Sequence, residues 1–138
     1  MVWTHLFGSP GSLDRARGNR GATDWLTAWV AGGRRLLITG QDIGQWDAGE
    51  GASSARLAPA FFRDVLGARF VATDAGAASA SGLEFLRGLT LAVGWPRGYP
   101  KAGRQKPDVI APAIEGARVL LNYGGGGAAV IAVDAPLG

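Results

Sequence analysis

Apolar residues in this chain fall into short runs separated by glycine-rich loops, and their spacing changes along the sequence. Val2 to Phe7 (VWTHLF) reads as a strand. Trp25, Leu26, Trp29 and Val30 then recur at helical spacing. Thr23 or Asp24 stands ready to cap that helix, and Gly32-Gly33 to end it, since glycine tolerates the left-handed terminal conformation. Leu36, Leu37 and Ile38 form an unbroken apolar run inside a strand from Arg35 to Thr39. A run apolar on both faces predicts a central strand covered by helices, as in a parallel sheet. Ligands in such sheets bind outside the carboxyl ends of the strands, which places Gly40 to Gly44 (GQDIG) where chemistry is expected.

Beyond a long loop, a helix is predicted from about Arg56 to Leu66. Leu57, Phe61, Phe62, Val65 and Leu66 form its buried stripe, Pro59 sits in its first turn and Gly67 stops it. Arg69 to Thr73 is the next strand, and Asp74 to Ser81 reads as a loop. Leu83 to Val93 reads as two short strands or extended segments around Gly88. Gly94 to Pro107 is an irregular excursion, and Pro107 to Ile114 is read as a helical turn. Arg118 to Tyr123 and Ala128 to Val133 are strands joined by four glycines, which implies an antiparallel hairpin. The expected architecture is α/β: a mostly parallel sheet flanked by helices, with an antiparallel hairpin near the C-terminus.

The 138 residues suit one domain, read as spanning 1–138. A hydrophobic share of 47% against 18% charged marks a globular chain. There is no cysteine, which excludes disulfides, thiolate metal sites and a thiol nucleophile. No apolar run is long enough for a membrane span, and no signal peptide is visible at the start. The net charge is +3, and all basic residues but Lys101 and Lys106 are Arg. They are scattered except for Arg15, Arg17 and Arg20 and the run Arg97, Lys101, Arg104 and Lys106, and neither group has the interleaved aromatics of a single-strand binding face, so no nucleic-acid partner is expected. The strand at the very start and the turn DAPLG at the end suggest a piece of a larger protein.

At GGRRLLITGQDIG, FFRDVLGARFVATDAG and PDVIAPAIEGARVLLNYGGGGAAVIAVD, the chain resembles a class I glutamine amidotransferase-like domain. The resemblance is to the non-catalytic accessory type found in large secreted or surface bacterial proteins such as peptidases. It runs from about Trp25 onward and rests on the order of the pieces. It implies an incomplete flavodoxin-like sheet and an exported parent protein. Catalytic members carry a nucleophilic Cys at the strand tip and a His further on. Here the nucleophile-elbow position holds Gly40 and Gln41, and no His follows His5. Neither glycine nor a carboxamide attacks a carbonyl, so no catalytic residue is assigned.

Asp42, Gln45 and Trp46 are the candidate ligand-binding residues at this tip. Asp42, Asp47 and Glu50 share a loop, but their spacing is not an EF-hand and no metal or other cofactor is assigned. His5 with Ser9, Ser12, Ser53 or Ser54 would be the one available hydrolytic dyad, yet none of these serines has an elbow motif. Gly8 to Gly11 lacks the features of a phosphate loop. Trp25 and Trp29 read as core packing, whereas Trp46, Trp95 and Tyr99 lie in irregular segments. The favoured function is a non-catalytic structural or interaction module whose partners are other domains of its parent chain. The alternatives are a hydrolase using Asp42 or Asp74 and a carbohydrate-binding module using the loop aromatics.

Overall fold

A computed structural model of the chain describes residues 2–5, 21–40, 44, 59–93 and 106–134. The elements in order are β1 (Val2–His5), α1 (Gly21–Ala31), β2 (Leu37–Gly40), α2 (Pro59–Asp64), β3 (Ala68–Ala72), β4 (Ser79–Gly82), a 3-10 turn (Glu84–Leu86), β5 (Thr90–Ala92), β6 (Val109–Pro112), β7 (Arg118–Tyr123) and β8 (Ala128–Ala132). β1 and β2 form a two-stranded parallel sheet. The other six strands form one sheet in the order β3-β6-β8-β7-β4-β5, antiparallel at every pairing.

This overturns the expected fold class. The chain is mostly antiparallel β, not a parallel flavodoxin-like α/β sheet. Parallel pairing is confined, among the described residues, to β1 and β2. The third strand of the expected parallel core, β3, pairs antiparallel with β6 instead. Its sequence explains why. Ala68 is buried, Arg69 exposed, Phe70 half-buried and Val71 exposed. Such alternation suits a sheet with one wet face; a parallel strand inside an α/β core is apolar on both.

The strand predicted to be central is also different. β2 pairs only with β1 among the described residues. Leu36 and Ile38 pack toward the helices, against Leu26, Phe61 and Phe62. Leu37 points the other way and is 52% exposed. Side chains alternate along a strand, so one covering layer buries every second residue only.

α1 begins at Gly21, two residues before the expected cap, so Thr23 and Asp24 lie in its first turn. Thr27 Oγ1 donates to the Thr23 carbonyl at 2.7 Å. The helix stops as predicted: Gly33 has φ +73 and donates its N–H to the Val30 carbonyl. Leu26 is wholly buried, but Trp25 is 50% exposed, which corrects its reading as core. The described part of the second helix is six residues long, with Phe61 and Phe62 buried edge to face. Gly67, at φ +63, turns the chain directly into β3.

Two further segments differ. β4 (SASG) takes up the end of the stretch read as a loop, Ser79 to Ser81, and adds Gly82, and β6 (VIAP) lies within the stretch read as a helical turn. The hairpin β7–β8 stands as expected, with Tyr123 N–H donating to the Gly127 carbonyl across its glycine turn. A second hydrophobic cluster lies on the sheet: Ala80, Val109, Leu121 and Tyr123, with Leu86 and Val93 beside them.

Candidate functional site

Three places bear on function, beginning with the tip of β2. The parallel register sets His5, the last residue of β1, beside Gly40, the last residue of β2. The carboxyl ends of both strands therefore emerge together. Gln41, Asp42, Gln45, Trp46, Asp47 and Glu50 lie outside the described residues, as do Ser9, Ser12, Ser53, Ser54, Gly8 to Gly11, Trp95 and Tyr99. Gly44 is described and buried. A Cβ placed on it would stand 3.1 Å from Asp108 Oδ2 and 3.3 Å from Phe70 Cδ2. The second glycine of GQDIG thus serves close packing against the six-stranded sheet. The strand-tip argument assumed a central strand covered on both faces. The half-exposed Leu37 on a two-stranded sheet removes that footing.

The second place lies behind Gly44, where Tyr123 is buried and its hydroxyl donates to the Asp108 carbonyl at 3.2 Å. Burial, and secondarily the Asp108 charge, push the phenol above its ordinary value near 10. Below pH 10 the proton stays on in both folded and unfolded chains. Above it the unfolded tyrosine ionises while the folded one holds its proton, so stability falls as pH rises through that window. Tyr123→Phe is expected to cost about 1 kcal/mol near neutrality for the lost hydrogen bond. It should also flatten the alkaline loss of stability, read from denaturant midpoints across pH. Asp74 is similarly committed to local structure: its carboxylate accepts the Gly76 N–H at 2.8 Å in a tight turn. Among the described residues no three His, Asp or Glu gather as a metal site. No described helix is long and apolar enough to cross a membrane.

The third place was not singled out from the sequence. Among the described residues β5 lies at the edge of the six-stranded sheet and pairs only with β4. Leu83, Phe85, Leu89 and Leu91, all within this hairpin, are exposed, Phe85 by 72%. Leu86 turns inward to the sheet cluster. The geometry is held rather than loose. Glu84 has φ +47, the one non-glycine residue with positive φ among those described. Its carboxylate is clamped by Arg118 of β7 at 2.8 Å, and Arg118 also meets Asp134 at 3.0 Å. These pairs are partly exposed, so each contributes less than ~1 kcal/mol; their value is positional. The signal was present in LEFLRGLTL, whose apolar residues at 83, 85, 89 and 91 share one strand parity.

Comparison with known proteins adds no relative: no family model, no curated protein and no solved structure matches this chain.

Proposed function

We propose that the chain is a non-catalytic structural or interaction module, and that its partner is further polypeptide of a larger parent protein. The observation that carries this reading is the exposure of Leu83, Phe85 and Leu89 in the connection between β4 and β5, and of Leu91 on β5, the edge strand. Large apolar side chains exposed together in one short hairpin point to a contact surface, and a sheet edge is a template for further pairing. A left-handed Glu84 held by Arg118 keeps Phe85 outward, and such strain persists where the surroundings over-determine it.

The test presents the purified chain to the flanking polypeptide of its parent, supplied in trans, and reads binding by calorimetry. Phe85→Ser combined with Leu91→Ser is expected to weaken binding by tenfold or more. That fold-change corresponds to about 1.4 kcal/mol, which is modest for two aromatic or aliphatic anchors. Both side chains are exposed, so the fold should survive, as circular dichroism would check. Undiminished binding by the double variant would overturn the assignment of this surface.

A further inference from the structure

We infer that α1 and the segment after it form a binding platform for an anionic sugar, a uronic acid unit of an oligosaccharide. The platform is separate from the hairpin and does not depend on it. Trp25 and Trp29 lie four residues apart on the helix, with ring centroids 5.4 Å apart. The Arg34 guanidinium lies over the Trp29 ring at 4.6 Å. Trp29 Nε1 donates to the Arg35 carbonyl at 3.2 Å, which fixes that indole in place. Trp25 remains 50% exposed at the end of this stack. The fixed Trp29 ring thus backs an exposed Trp25 ring, which lowers the ordering cost to a ligand.

Charge says what the occupant is. Arg34 and Arg35, both exposed, follow the helix directly, against the single carboxylate of Asp24 in its first turn. An indole face accepts the apolar face of a pyranose ring. A guanidinium beside it offers a planar fork that matches a carboxylate. A uronic acid carries both features on one small ring. The exposed aromatic surface is that of two side chains, too little to anchor a bilayer, which needs a long apolar face. A single cation–aromatic stack also falls short of the charged groove that tracks a nucleic-acid strand.

The test titrates the 138-residue chain with a short oligogalacturonide and follows the Trp25 indole resonance by NMR. Its neutral methyl ester, single-stranded DNA and anionic phosphatidylglycerol vesicles are run alongside. The acid form should bind, and the methyl ester about tenfold more weakly. Trp25→Ala and Arg34→Gln should each weaken binding by about three- to tenfold, the range expected from one aromatic or charge-assisted contact. Arg34→Lys, which keeps the charge but loses the fork, should fall between. The inference is overturned if the uronide does not bind, or if its binding ignores Trp25 and Arg34. Trp25-dependent binding of DNA or vesicles in place of the uronide overturns it too.

Discussion

Gly82→Ala is expected to destabilise the chain by about 3 kcal/mol, near the upper end for overpacking a well-filled site. Gly82 ends β4, where the chain folds over the 3-10 turn. A Cβ there would collide with the Leu86 carbonyl oxygen and lie 2.7 Å from its carbonyl carbon. The obstacle is backbone, which cannot move without breaking the local hydrogen bonds. Gly82 donates its N–H to the Leu89 carbonyl at 2.8 Å, and Leu89 donates to Leu86 at 2.9 Å. Shifting Leu86 would disturb both, and with them the apolar hairpin. The measurement is the urea midpoint, compared at equal slope. Gly88→Ala is the control. It sits at φ +94 with nothing within 4 Å of a new Cβ, so only backbone strain of ~1–3 kcal/mol applies. A Gly82→Ala midpoint no lower than that of the parent would show that the hairpin does not close over Leu86 as described.

Leu26→Ala should be the largest loss on the helical side, about 2–5 kcal/mol from lost burial and the cavity left behind. Leu26 has no exposed surface, and Phe61 and Phe62 pack with it, with Leu36, Ile38, Val65 and Leu66 around them. The sheet cluster around Leu121 shares none of these residues. Leu26→Ala and Leu121→Ala are therefore expected to add in the double variant to within about 0.5 kcal/mol. A coupling energy well beyond that would mean that the two clusters repack together. The single variants also carry information. If Leu26→Ala melts the signal of α1 while the β-sheet signal persists, the helical side opens as its own unit.

Several elements were legible from local chemistry. The α1 stop at Gly32-Gly33, the strand nature of Arg118 to Tyr123 and the four-glycine turn of the last hairpin depend on neighbours in sequence. A positive φ or a tight reversal is written into glycine itself. β4 was not legible because Ser79, Ala80, Ser81 and Gly82 lack the branched and aromatic residues that mark strands. Ala80 is a strand residue because it fills the space opposite Tyr123, its register partner on β7. β6 was misread because Pro107 and Pro112 bracket it; proline is tolerated at the end of a strand, and Pro112 is the last residue of β6.

The candidate site was less legible than the elements. GQDIG stood out because glycines framed polar residues, yet Gly44 itself sits close against Asp108 and Phe70, where a side chain would crowd them. Trp25 was counted with the core because it shares a helical period with Leu26 and Trp29. Adjacent residues on a helix point about a hundred degrees apart, so Leu26 goes inward while Trp25 stays in water.

Residue order alone determined where α1 stops, that no thiol chemistry is available and that the final strands form a hairpin. Tertiary structure decided which strands are neighbours. It joined β3 to β6, separated by 36 intervening residues between Ala72 and Val109, and left Leu83, Phe85, Leu89 and Leu91 exposed at the margin of the sheet. Strand pairing is made by backbone hydrogen bonds that every residue type but proline offers alike. Their partners are chosen by which buried faces meet once the whole sheet has assembled.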